Sequence, residues 1–126
     1  GRVSEKTQCG PCRHELRGGI EAYCDAAARI LAPGGRFVAC EGATQTRRVE
    51  DAAAAAGLTL LRRRDVIPRT GRAALFSVYT MALSDETPPR DDGEPLHLER
   101  PLVVRNAHGE RTRDYTAVRL AMGMPP

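Results

Sequence analysis

Apolar residues recur at helical spacing in the segment that ends at residue 31. They are Leu16, Ile20, Tyr23, Cys24, Ala27, Ile30 and Leu31, with charged residues between them on the other side. This spacing predicts an amphipathic helix that begins near Gly19 and buries one stripe. Pro33 cannot continue a helix, and Gly34 and Gly35 can adopt the positive φ that closes one. The residues that follow, 36–41, alternate less strictly and predict a strand.

The pattern after residue 41 predicts a second helix and then a β-hairpin. Val49 and the alanines at 52–56 have helical spacing and high helix propensity, and Gly57 supplies the stop. Leu58–Ile67 and Ala73–Leu83 have the pattern of two antiparallel strands around a turn that contains Pro and Gly. The second strand is apolar or β-branched on both faces, which favours the sheet interior. Three consecutive arginines on the first strand favour a sheet edge.

The last third of the chain begins with a polar segment and continues with residues whose pattern predicts a strand, a turn and a helix. Residues 84–95 have too few apolar side chains to fold alone, and they predict a flexible linker. Beyond them, 101–105 predicts a short strand, 106–109 a turn, and Tyr115–Met122 a closing helix. The predicted division is therefore 1–83, a linker at 84–95, and a strand-turn-helix tail at 96–126. The order of elements, helix-strand-helix-strand-strand, predicts an α/β fold.

Composition narrows the class of protein. The chain of 126 residues fits one domain, and with 4% aromatic residues and no Trp its core must consist of Ala, Leu, Val and Ile. Net charge is +3, but residues 1–83 carry 13 Lys and Arg against 8 Asp and Glu, whereas residues 84–126 carry 6 against 8. No apolar run has membrane-spanning length, and no signal-peptide pattern is present. Four irregularly spaced cysteines fit a reducing compartment, so we expect a cytoplasmic protein without membrane contact.

The segment Cys9-Gly10-Pro11-Cys12 matches the thioredoxin-type redox motif, in which a helix start lowers the pKa of the first thiol. That chemistry requires a preceding buried strand. Only eight residues precede Cys9, most of them polar, so the residues around the motif favour a chance match in a loop.

Cys9, Cys12, His14 and Cys24 also have the ligand types of a tetrahedral zinc site. Cys24, however, lies on the apolar stripe of the first helix, where a buried thiol packs as a small hydrophobe. Only half of the usual paired-cysteine spacing is present, and we expect no metal.

Arginines cluster around the predicted hairpin. Arg62, Arg63 and Arg64 lie on its first strand, and Arg69 lies in the turn. They could form a surface that contacts phosphates, or they could protect an edge strand from aggregation. No aromatic residues are interleaved with them, so this segment lacks the stacking platform of single-strand binders.

Several segments resemble a known enzyme family. Leu31-Ala32-Pro33-Gly34-Gly35-Arg36-Phe37-Val38 is similar to the segment before the fifth strand of class I S-adenosylmethionine-dependent methyltransferases, whose last two strands form a reversed hairpin. Arg13-His14-Glu15-Leu16-Arg17-Gly18-Gly19, and Asp65-Val66-Ile67-Pro68-Arg69 before Leu75–Tyr79, resemble the bacterial tRNA adenine-N(6) methyltransferases of the anticodon loop. Val103-Val104-Arg105 and Met122-Gly123-Met124 resemble a tail of some members. The resemblance implies that residues 1–83 form a partial class I methyltransferase (Rossmann-like) sheet.

The family has two motifs before its Arg-His-Glu segment that this sequence lacks. These are an acidic, glycine-rich turn that holds the methyl donor and an Asn-Pro-Pro-Tyr motif that orients the target amine. The resemblance therefore implies S-adenosylmethionine as the cofactor of the complete fold and none for this chain alone. It implies a fragment of a tRNA methyltransferase that is inactive by itself.

The resemblance also assigns roles. It places Arg13 and His14 near the target base, and we expect Arg62, Arg63, Arg64 and Arg69 to contact RNA phosphates. In the complete fold, strand 36–41 pairs on both sides, so we expect the chain to form a homodimer or to pair with the missing N-terminal half. The alternative functions are a non-enzymatic module that binds RNA or protein, and a thiol redox or zinc protein that uses Cys9 and Cys12.

Overall fold

A computed structural model describes residues 18–86 and 96–126. Within these ranges the helices are α1 (Ile20–Ile30), α2 (Thr46–Ala56) and α3 (Arg113–Ala121), and the strands are β1 (Phe37–Gly42), β2 (Leu58–Arg69), β3 (Phe76–Leu83), β4 (His97–Leu98) and β5 (Leu102–Arg105). Short 3₁₀ turns follow β1 and β3, at Ala43–Gln45 and Ser84–Glu86. The predicted order of helix-strand-helix-strand-strand is confirmed. The short strand β4 had no signal in the sequence.

Helix α1 begins where the sequence predicts, directly after Gly19. Ile20, Cys24 and Ala27 are buried along its inner side, which confirms the packing role expected for Cys24. The predicted apolar stripe is too wide, because Tyr23 is 62% exposed and Ile30 is 81% exposed. The buried stripe of α1 is therefore a narrow one that consists of Ile20, Cys24 and Ala27.

Gly57 ends α2 as its position in the sequence predicts, whereas α1 ends at Leu31 in an extended conformation, three residues before Gly34. Gly34 adopts a φ of 77° in the corner between α1 and β1. Gly57 adopts a φ of 78° after α2, and its N–H bonds to the carbonyls of Ala53 and Ala54. A side chain at either position would be strained, since positive φ is unfavourable for residues with a Cβ. These two turns fix the direction in which the chain enters β1 and β2.

The sheet has the strand order β1-β3-β2-β4, with β5 also paired to β2. Strand β3 is antiparallel to both β1 and β2, which confirms the predicted hairpin and the interior position of its second strand. The prediction that the arginine-bearing strand β2 is an edge is wrong. Strands β4 and β5 pair with its other side in parallel, and local sequence patterns do not report such pairing between distant segments.

The core lies between the sheet and the two helices α1 and α2. Its buried members are Ile20, Cys24, Ala27, Val49, Ala52, Ala53, Leu58, Tyr79 and Met81. Tyr79 and Met81 on β3 are fully buried, and burial of a side chain of this size contributes about 1.5–3 kcal/mol to folding. None of the helices in the described ranges is long and apolar enough to cross a membrane.

The tail joins the sheet through β5 and then turns back along it. Asn106 holds the turn, because its side-chain oxygen accepts from the backbone N–H groups of His108 and Glu110 at 2.9 and 3.0 Å. Helix α3 begins two residues before the predicted start, because the hydroxyl of Thr112 caps it by accepting from the N–H of Tyr115. Residues 87–95, most of the predicted linker, lie outside the described residues.

Candidate functional site

Several polar side chains lie at the carboxyl ends of β1 and β2. Because β3 runs antiparallel to both strands, its first residues lie at the same end of the sheet. Ser77 is paired with Glu41 on one side and with Asp65 on the other, so the three residues form one cross-strand row. Residues paired laterally in a sheet point to the same face. In open α/β sheets, ligands bind outside the carboxyl ends of the strands, which makes this end the candidate site.

Arg63, Asp65 and Ser77 form the best-defined cluster at this end. Arg63 donates two parallel hydrogen bonds to the Asp65 carboxylate, from Nε to Oδ1 at 2.8 Å and from Nη2 to Oδ2 at 3.0 Å. The Ser77 hydroxyl donates to the same Oδ1 at 2.6 Å. Ser77 is fully buried, and the Arg63 and Asp65 side chains are 22% and 21% exposed. The cluster therefore ties β2 to β3 in a largely dry position.

The electrostatics of this cluster determine what it can do. The hydrogen bond from Arg63 holds the pKa of Asp65 below its usual value, and the bond from Ser77 adds to the effect. The same bond to Asp65 raises the pKa of Arg63. A general acid or base needs a pKa near the working pH, so an ionised, doubly bonded Asp65 is poorly suited to proton transfer. The cluster is suited to positioning the end of the hairpin.

Two further polar groups lie beside it. The Glu41 carboxylate accepts from the N–H of Gly42 at 3.1 Å, and Tyr79 donates to the hydroxyl of Thr46 at 3.5 Å. Sequence reasoning did not single out Glu41, Asp65 or Ser77. The hairpin register was the available signal, since residues 65 and 77 are equally far from Gly71 in the turn.

The structure separates the predicted arginines between the two faces of the sheet. Side chains alternate along β2, so Arg62 and Arg64 lie on one face, and Arg63 and Arg69 lie on the other. Arg62 is 3.4 Å from Glu99, and Arg64 donates to the carbonyl of Arg100 at 3.2 Å. Arg63 is held by Asp65. These four residues therefore do not form one continuous surface.

Arg69 has other basic neighbours that the sequence did not suggest. It is paired with Arg105 on β5, and Arg105 is in turn bridged to Arg111. All three arginines are exposed. Their proximity results from the pairing of β2 with the tail, which no local pattern predicts.

The remaining predicted site residues lie outside the described part of the chain. These are Arg13 and His14, together with Cys9 and Cys12 of the alternative redox or zinc function. Cys24, the fourth residue of the possible zinc set, is fully buried, and burial raises the pKa of its thiol. No group of three or more metal-ligating side chains occurs within residues 18–86 and 96–126.

Two surface grooves lie at the opposite end of the sheet, where β2 begins. One is lined by Asp25, Ala28, Arg29, Ala55 and Ala56, and the other by Glu50, Ala53, Ala54, Leu58, Thr59, Leu60 and Leu96. Both lie beside the end of α2 or the start of β2, so neither belongs to the candidate site.

Comparison with known proteins supports the fold. No family model matches the chain, and no curated protein matches it. Among solved structures, the chain is similar to a predicted O-methyltransferase from Agrobacterium tumefaciens, with a TM-score of 0.60 and 16% sequence identity. The match covers 84% of this chain and 47% of that one, so the chain spans about half the length of this neighbour. The methyltransferase-like, Rossmann-type α/β fold predicted from the sequence is confirmed.

Proposed function

We propose that this chain forms part of an S-adenosylmethionine-dependent RNA methyltransferase of the tRNA adenine-N(6) type. The observation that carries the proposal is the strand order β1-β3-β2, with β3 antiparallel to both neighbours, on a chain that superposes on a methyltransferase-like fold. This arrangement is the reversed hairpin that the resemblance of Leu31–Val38 implies. A cytoplasmic location belongs to the same proposal.

The choice of an adenine amine over other acceptors rests on the sequence. The Arg13-His14-Glu15 segment and the segment Asp65–Arg69 are similar to the tRNA adenine-N(6) group. Arg13 and His14 would lie near the target base. Arg62, Arg64 and Arg69 would contact phosphates, and Arg63 would act through Asp65 by holding the end of the hairpin in place. The doubly bonded Arg63 guanidinium has little capacity left for a phosphate.

The described residues do not fit the methyl donor. At the carboxyl end of β1, the Glu41 carboxylate bonds to its neighbouring backbone N–H, and Asp65 is occupied by Arg63 and Ser77. The sequence contains neither the acidic, glycine-rich turn nor the Asn-Pro-Pro-Tyr motif. We therefore propose that another polypeptide segment supplies the binding site for S-adenosylmethionine.

Strand β1 is where we propose that this segment, or a second copy of the chain, pairs. Within the described residues, β1 pairs with β3 alone, so its other edge has no strand partner. An unpaired strand edge is a template for another strand. Hydrogen exchange of the β1 amides should be fast on the outer side in dilute protein and slow once the partner is bound. Full protection of β1 in a protein that sediments as a monomer would contradict pairing.

The proposed function is tested by methyl transfer. The coding sequence upstream of Gly1 is read, and a polypeptide that includes it is assayed for methyl transfer from S-adenosylmethionine to unmodified tRNA. We expect the two missing motifs upstream and N6-methyladenosine in the product, identified by mass spectrometry. We expect no donor binding by this chain alone in calorimetry. An upstream sequence without these motifs, or methylation at an oxygen, would overturn the proposal.

A further inference from the structure

Three arginines form a row at the end of the sheet where β2 and β5 finish. Arg69 is the last residue of β2, Arg105 is the last residue of β5 and is paired with it, and Arg111 is bridged to Arg105 from the other side. Adjacent strands lie about 4.8 Å apart, so the row extends over about 10 Å. Laterally paired residues share a face, which places the three side chains together.

The contacts of these side chains hold the row in one place. Arg69 donates to the carbonyl of Ala107, and Arg105 donates to the carbonyl of Gly109 at 2.8 Å. Both guanidinium groups therefore contact the same turn, which Asn106 fixes by its two backbone hydrogen bonds. Arg111 donates to an oxygen of Pro126, the last residue of the sequence, at 2.6 Å. Arg69 and Arg105 bond to neutral peptide carbonyls with part of each guanidinium group, so these contacts leave the charges of both side chains uncompensated.

Among the residues that the structure describes, no Asp or Glu side chain forms an ion pair with this row. Like charges directly opposite each other in a sheet are destabilising. Protection of an edge strand does not explain the arrangement, because β2 is paired on both sides and Arg105 is bridged to Arg111. An arginine fork matches the geometry of a phosphate group, so an anion with several phosphates would relieve the repulsion.

We propose that Arg69, Arg105 and Arg111 bind consecutive phosphates of a single RNA strand beside the carboxyl end of β2. This inference rests on the proposed function, which supplies RNA as the substrate class. It extends the substrate surface beyond the predicted residues to the tail. The row begins at Arg69 on β2, the strand that carries the cluster around Asp65, so a bound strand would pass close to the candidate site.

The test compares two sets of variants in RNA binding without any methyl donor. In the triple variant Arg69→Gln, Arg105→Gln and Arg111→Gln, each side chain stays polar and loses its charge. Fluorescence anisotropy with a labelled single-stranded RNA is measured over a series of salt concentrations. Each phosphate contact contributes about 0.7 to the slope of log K against log salt, so the triple variant should lower the slope by about 2. At low salt its affinity should fall by at least about tenfold.

Arg36→Gln is the matched control. Arg36 is an exposed arginine that bonds to the carbonyls of Gly34 and Gly35, and it lies at the amino end of β1, the opposite end of the sheet. Its substitution should leave both the affinity and the slope unchanged. Thermal unfolding of each variant establishes that the comparison is made between folded proteins, and RNA should raise the melting temperature of the wild-type chain more than that of the triple variant.

Three outcomes would overturn the inference. The first is an equal salt slope for the wild-type chain and the triple variant. The second is displacement of RNA by inorganic phosphate at equal phosphorus concentration, which indicates a site for one phosphate instead of a strand. The third is binding to anionic phospholipid vesicles without affinity for RNA. Because no donor is present, a chain that fails as a methyltransferase can still pass this test, and an active methyltransferase can fail it.

Discussion

The two edges of the sheet differ in which strands pair with them. At one edge, β2 is paired with β4 and β5 of the chain's own tail, and the paired residues Val66 and Leu102 are only 7% and 8% exposed. On the other side, β1 has no strand beyond it among the described residues, and Val38 remains 60% exposed. The tail therefore supplies strand partners at the β2 edge, whereas β1 has no partner at its outer edge among the described residues.

This difference locates the proposed functions on different parts of the molecule. At the edge closed by the tail, strand pairing brings Arg69, Arg105 and Arg111 together. The backbone at this edge is already paired, so its side chains are suited to binding a ligand. The open side presents backbone donors and acceptors, and it is suited to another strand. Mutations should therefore have large effects on stability at the closed side and small ones at the open side.

The largest effect is expected for Leu102→Ala. This substitution removes a buried side chain that packs against Val66, and such truncations cost about 2–5 kcal/mol of unfolding free energy. Val38→Ala on the open side is the control, and it should cost less than about 0.5 kcal/mol. Urea unfolding of both variants measures the two costs. Equal costs would show that β1 is covered in solution, and the contrast between the two sides would fail.

A smaller loss of unfolding free energy is expected for Asp65→Asn. This variant tests the contacts between β2 and β3, whereas Leu102→Ala tests those between β2 and the tail. The variant leaves Arg63 without its carboxylate partner, at a cost of about 1–3 kcal/mol near neutral pH. The folded-state pKa of Asp65 is lowered, so its contribution is present above the unfolded pKa of about 3.9 and is lost as pH falls through the folded pKa. The difference between wild type and variant should therefore shrink in acid.

Urea midpoints measured from about pH 7 to pH 2 check this dependence. Asp51→Asn is the matched control, because Asp51 is an exposed residue of α2. A difference between wild type and Asp65→Asn that stays constant with pH would show that the effect comes from packing and not from the charge of Asp65.

The parts of the fold that the sequence predicted are those fixed by neighbouring residues. Gly57 ends α2 in the conformation that glycine favours, Gly34 adopts a similar conformation in the corner before β1, and the turn around Gly71 sets the hairpin register. The interior position of β2 escaped prediction, because it depends on pairing Val66 with Leu102 and Arg69 with Arg105. Arginines at positions 62–64 are typical of an edge, and the tail covers this edge in spite of them.

The candidate site shows the same limit. The run of arginines on β2 predicts one surface, but strand alternation places Arg62 and Arg63 on opposite faces. Prediction of the cluster of Arg63, Asp65 and Ser77 requires the pairing register of the hairpin. Prediction of the row of Arg69, Arg105 and Arg111 requires the pairing of the tail with β2. Local periodicity reports burial and turns, and contacts between distant segments are decided by packing.

The smallest effect is expected for Arg62→Ala, which tests the polar part of the seam between β2 and the tail. The Arg62 side chain is 58% exposed and lies 3.4 Å from Glu99, so water screens this ion pair. Exposed pairs contribute about 0.2–1 kcal/mol, and the unfolding free energy should fall by no more than this. Added salt should reduce the loss further. Urea unfolding at low and high salt measures it, and a loss as large as that of Leu102→Ala would show that charge, and not the burial of Leu102 against Val66, closes this side of the sheet.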